Sequence, residues 1–154
     1  MSIHGDEAYN NFMKGYNCAQ SVALAYAEEM HLTPEQALTM SAGFGGGVGR
    51  LREVCGAFSG IVLVLGALYG SPDPSQKTAL YTEVQALAER YRTENGGGSI
   101  VCRELLGLKK AEGSPIASPR TPEYYKKRPC PELVRLAANI LDDYIAAHPL
   151  PEHK

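Results

Sequence analysis

The chain has 154 residues, of which 44% are hydrophobic and 21% charged, with four cysteines and a formal net charge of −2. That length suits one domain that buries roughly 68–70% of its unfolded surface, so bulk disorder and reliance on disulfide staples are excluded. The near-zero charge gives no field for general nucleic-acid or anionic-membrane binding, and four cysteines fall far below the density of a secreted disulfide scaffold.

Residues 1–17 are polar and lack the apolar stretch of a secretory signal. The cytoplasm, where thiols stay reduced, is the expected home. Helical periodicity then dominates. Ala19, Val22, Ala23, Tyr26 and Met30 form one apolar stripe, Leu80, Val84, Leu87, Ala88 and Tyr91 a second, and Leu133, Leu136, Ala137, Ile140, Leu141 and Tyr144 a third. No alternating strand pattern occurs. The expected fold is all-α: a single-domain bundle over residues 1–154 with about six to seven helices.

In chain order these helices fall near 5–14, 17–31, 34–42, 50–69, 74–93, 99–107 and 131–147. Thr33-Pro34-Glu35-Gln36 and Asp73-Pro74-Ser75-Gln76 are start signals, with a cap, a proline in first position and a glutamine in third. Gly43-Phe44-Gly45-Gly46-Gly47-Val48-Gly49 and Asn95-Gly96-Gly97-Gly98 read as loops. Residues 54–72 carry no charge, but glycines interrupt them and they end at Pro72, so they read as a buried helix and not a membrane span. Residues 109–129, rich in Pro and Lys, read as an extended surface loop.

The cysteines are Cys18, Cys55, Cys102 and Cys130. None forms a CxxC pair, which excludes zinc-finger spacings and the thioredoxin-type motif. Any joint chemistry requires the fold to bring distant helices together. Asn17 and Ser99 read as N-caps, which puts Cys18 first and Cys102 third in their helices. Cys130 reads as the N-cap before Pro131, and Cys55 sits early in the helix after the glycine loop. A helix N-terminus favours an anion and lowers a cysteine pKa. Arg50 and Arg52, Arg103, and Lys126-Lys127-Arg128 add positive charge beside Cys55, Cys102 and Cys130. The plainer alternative is that each cysteine packs as a small hydrophobe.

Cys55-Gly56-Ala57-Phe58-Ser59-Gly60 is the most specific stretch. Gly56 and Gly60 lie four apart with Ala57 adjacent, a surface on which another backbone or thiol can approach closely. This makes Cys55 the expected member of a reacting pair, with any of the other three as partner.

These residues resemble the C_GCAxxG_C_C family of redox-active proteins. Residues 55–60 match its Cys-Gly-Ala-x-x-Gly motif, Cys18 its first cysteine within Tyr16-Asn17-Cys18-Ala19-Gln20, and Cys102 and Cys130 its last two. The glycine-rich residues 45–49 also match, and the resemblance spans about residues 9–146. It implies thiol redox chemistry. Some relatives carry selenocysteine in place of cysteine, and members often lie beside transporter genes.

Three functions of different class follow. The first is thiol–disulfide redox by Cys18, Cys55, Cys102 and Cys130, supported by Gly56, Ala57 and Gly60, with no cofactor and with a redox partner protein or a small disulfide as substrate. The second uses the same four cysteines as ligands of an iron–sulfur cluster or zinc. The third is a non-catalytic accessory role beside a transporter. A homo-oligomer is compatible with each. The histidines His4, His31, His148 and His153 have no HxxxH or HExxH spacing, so a zinc hydrolase is not expected. Residues 45–50 lack the ending of a P-loop and follow no strand.

Overall fold

The computed structural model describes residues 2–108 and 114–150. The fold is all-α. Among the described residues there are eight α-helices, and the one β-type pairing is an isolated antiparallel bridge between Val54 and Val101.

Side-chain caps start several helices by satisfying the free N–H groups of a first turn. Ser2 accepts from the Gly5 amide ahead of α1 (Ile3–Met13). Asn17 and Gln20 form a reciprocal capping box for α2 (Cys18–Ala25), and Thr33 and Gln36 form another for α3 (Pro34–Ser41). The apolar α4 (Gly56–Tyr69) follows the glycine loop. Asp73 caps a 3-10 turn, Pro74–Gln76, that leads into α5 (Lys77–Glu94). The remaining helices are α6 (Cys102–Leu105), α7 (Pro122–Lys127) and α8 (Cys130–Ala147).

The core forms where α8 packs on α1, α2 and α4, and α2 packs on α1 and α4. α8 buries Leu133, Val134, Ala137, Ala138, Ile140 and Leu141, and α4 buries Ala57, Ile61, Val64 and Leu65. Each fully buried large aliphatic contributes roughly 1.5–3 kcal/mol relative to an exposed one. Tyr26, the C-cap of α2, donates a buried hydrogen bond to the Ala138 carbonyl at 2.8 Å, and His4 of α1 lies between Glu29 and Asp142. Among the described residues no helix is long and apolar enough to cross a membrane.

Four differences from the sequence reading have physical causes. The helix expected over 17–31 ends at Ala25, and the chain then runs through turns with His31 at φ 58°. The helix expected from residue 50 starts at Gly56, because Gly46, Gly47, Val48, Gly49, Arg50 and Arg52 all have positive φ. Residues 52–55 are instead tied to residues 100–103 through the Val54–Val101 bridge and the bond from the Cys55 amide to the Ile100 carbonyl at 2.7 Å. Ser99 does not cap α6. Its hydroxyl accepts from the Val101 amide, and Val101 takes the N-cap position. Finally, the loop expected over 109–129 contains α7, begun by Thr121 and Pro122, while residues 109–113 lie outside the described ones.

Gly60 sets the distance between α2 and α4. A Cβ there would lie 2.7 Å from the Val22 Cβ. Alanine is the better helix former by about 1 kcal/mol, but overpacking a core costs about 1–3 kcal/mol. Gly60→Ala is therefore expected to lower the urea midpoint, by up to about 2 kcal/mol in stability. Adding Val22→Ala should recover part of the loss. A stabilised Gly60→Ala single variant would contradict the close α2–α4 contact.

Candidate functional site

The structure brings all four cysteines to one place. Cys18 is the first residue of α2, Cys55 the N-cap of α4, Cys102 the first residue of α6 and Cys130 the first residue of α8. First-turn placement is thus closer to the cap than the sequence suggested for Cys55 and Cys102, and one residue further in for Cys130. All four are free thiols; Cys55, Cys102 and Cys130 are buried and Cys18 is partly exposed. They line a cavity of about 60 Å³ together with Arg52, Arg120, Tyr124 and Phe12.

Three local devices produce this convergence. The capping box at Asn17 fixes the start of α2, and the Asn17 amide group also donates to the Ala42 carbonyl at 3.0 Å. The Val54–Val101 bridge sets the starts of α4 and α6 side by side. The glycine turn closes over them. A Cβ at Gly47 would lie 2.7 Å from the Cys102 Cβ, and one at Gly56 3.0 Å from the Cys18 Cβ. The CGAxxG glycines therefore do admit a neighbour closely, and that neighbour is α2.

Thiol contacts divide the cysteines. Cys18 and Cys130 share a side-chain hydrogen bond, with the protonated Cys18 as donor. The Cys55 sulfur lies 3.3 Å from the Tyr91 hydroxyl. The Arg52 Nη1 lies 3.6 Å from the Cys102 sulfur.

Protonation follows from these contacts. The Cys18 hydrogen bond lowers the pKa of Cys130, burial opposes it, and Arg128, Arg120 and Arg52 reinforce the lowering. The same hydrogen bond, aided by burial, raises Cys18 well above the usual thiol range. Burial pushes Cys55 up to about 11 against the opposing Tyr91 hydroxyl and the amides of Phe58 and Ala57. Burial also raises Cys102 despite Arg52. The expectation of lowered pKa values at all four positions is corrected accordingly: desolvation outweighs the helix-start effect at Cys55 and Cys102, the shared hydrogen bond raises Cys18, and Cys130 alone of the four is lowered.

The expected basic neighbours are redistributed. Arg52 serves Cys102 across the bridge. Arg103 pairs with Glu53 at 3.2 Å. Arg50 reaches Ser114 and Ser118. Of the Lys126-Lys127-Arg128 run, Arg128 bears on Cys130. Sequence reasoning missed Arg120, which donates to the Phe12 and Tyr16 carbonyls at 2.8 and 2.9 Å and sits 4.0 Å over the Phe12 ring. It also read Tyr91 as core alone. No local pattern marks either residue.

Alkylation of the reduced protein across pH should reveal one thiol that titrates below the ordinary cysteine value of about 8.5. Cys130→Ala should abolish that phase, and Cys18→Ala should move it to higher pH. The Cys130 share of stability is present above its unfolded pKa and is lost as pH falls through the lowered folded value. An unchanged profile in Cys18→Ala would show that the shared hydrogen bond is not the cause.

Comparison with known proteins matches residues 16–144 to the family described as "Putative redox-active protein (C_GCAxxG_C_C)". No curated protein and no solved structure shows a significant match. The match covers most of the chain and includes all four cavity cysteines, so the chain belongs to the C_GCAxxG_C_C family of redox-active proteins.

Proposed function

We propose that the protein carries out two-electron thiol–disulfide exchange, with the Cys130 thiolate attacking and Cys18 resolving. The observation that carries this reading is the hydrogen bond between the two thiols, which favours the thiolate at Cys130 and puts a second sulfur beside it. A thiolate is the attacking species in such exchange, and a lowered pKa raises its fraction at neutral pH. Cys130 stands behind Pro129 at the start of an 18-residue helix, with Arg120 and Arg128 supporting its charge. Burial restricts access to the pair, which suits a reactant admitted to a cavity. A reducing compartment such as the cytoplasm suits free thiols.

A second reading has one observation in its favour. The cavity is lined by four thiols and, among the described residues, by no carboxylate or imidazole. That donor set fits an iron–sulfur cluster or zinc, which would supply one-electron transfer or a structural clamp respectively. Against it, no group of three or more His, Cys, Asp or Glu among the described residues is placed as a metal-holding set.

One preparation separates the two. The protein purified anaerobically should contain four titratable thiols without stoichiometric iron, sulfide or zinc. Treatment with diamide should remove two of those thiols. Iron and sulfide near stoichiometry, with a brown colour, would overturn the dithiol reading in favour of the cluster.

A further inference from the structure

A groove of about 360 Å³ lies next to the cysteine cavity, between the glycine turn and the strap of residues 114–120. The two spaces share Asn17, Gly46, Arg52, Arg120 and Tyr124. The groove adds Arg50, whose guanidinium donates to the Ser114 carbonyl and the Ser118 hydroxyl, both at 3.3 Å. Three arginines therefore line the two adjoining spaces. Arg120 hydrogen-bonds two neutral carbonyls, so its charge still acts on the groove.

Size and charge both select a reactant. The inner cavity holds little more than a few atoms, which excludes an inserted peptide loop. The outer groove falls within the 300–1,000 Å³ of small-molecule sites. Guanidinium groups recognise carboxylates through paired hydrogen bonds. We propose that this groove admits a small, carboxylate-bearing disulfide to the cysteine cavity, its carboxylates on the groove arginines and its sulfurs against the thiols. The inference rests on the dithiol reading given above.

The step balances. The Cys130 thiolate attacks one sulfur of the disulfide, the substrate S–S bond breaks, and one thiolate leaves. The product is a mixed disulfide on Cys130. Cys18 gives its proton to the departing thiolate and attacks the Cys130 sulfur. The second substrate thiolate leaves and takes a proton from solvent. Two protein thiols are oxidised by two electrons, and one disulfide is reduced to two thiols.

Stopped-flow oxidation of the reduced full chain tests this with three small disulfides: oxidised glutathione (anionic), 2-hydroxyethyl disulfide (neutral) and cystamine (cationic). Each rate constant is divided by that disulfide's rate with dithiothreitol, which removes intrinsic reactivity. The normalised rate with oxidised glutathione should exceed that with cystamine by roughly ten-fold or more, and the gap should shrink in high salt. Arg50→Gln should reduce the ratio, and Arg50→Lys should largely retain it. Equal normalised rates, or a ratio unchanged in Arg50→Gln, would overturn the proposal. Thiols that respond to diamide but to none of the three disulfides would overturn the substrate class and leave the dithiol reading standing. Thiols that respond to no oxidant would overturn the dithiol reading itself.

Discussion

The first turns of α2, α4 and α8, with the short α6, open onto one cavity, and each places a thiol there. Two opposing effects meet at that point. Helix N-termini and arginines favour anions, while burial disfavours them. A helix end contributes about 0.3–1 kcal/mol, which is under one pKa unit, whereas full burial shifts a pKa by as much as about 3–5 units. Burial therefore wins at Cys55 and Cys102, in spite of the Tyr91 hydroxyl and the Arg52 guanidinium beside them. It is outweighed at Cys130, which receives a hydrogen bond from Cys18 and the charge of three arginines. The asymmetry that the proposed exchange needs, one sulfur that gives up its proton more readily beside one that holds it, follows from that pair.

Holding the cavity closed requires unusual backbone. Val48, Arg50 and Arg52 take φ of 68°, 65° and 59°, a region that costs roughly 1–2 kcal/mol per residue with a side chain. Glycines at 46, 47 and 49 adopt the same region without that cost. Turn hydrogen bonds from the Gly49, Arg50, Arg52 and Glu53 amides to carbonyls of residues 43–47 offset the strain. Strained backbone of this kind persists where the surroundings over-determine it, and it concentrates at functional sites. Here it carries Arg50 to Ser114 and Arg52 to Cys102.

Much of the fold was legible because its signals are local. The α8 stripe and the caps at Asn17 and Thr33 depend on spacing alone, and the structure repeats them nearly residue for residue. The glycines of the Cys55 motif announced close packing, though not that α2 would be the neighbour. α7 could have been found: Thr121-Pro122 repeats the start signal of Thr33-Pro34, but the surrounding prolines and lysines obscured it. What stayed hidden is long-range. Tyr91 lies 36 positions from Cys55 and Arg120 lies 108 from Phe12, and no periodicity links such partners. The Cys18–Cys130 contact likewise depends on how α2 and α8 cross. The left-handed run at 46–52 was invisible because its non-glycine members, Val48, Arg50 and Arg52, are residues that ordinarily avoid it.

The account turns on which two sulfurs form the couple. Peptide mapping by mass spectrometry of the protein oxidised stoichiometrically with diamide, trapped in acid and digested without reduction, reads this directly. A Cys18–Cys130 disulfide is the predicted product, with Cys55 and Cys102 recovered as free thiols. A dominant disulfide that contains Cys55 or Cys102 would contradict it.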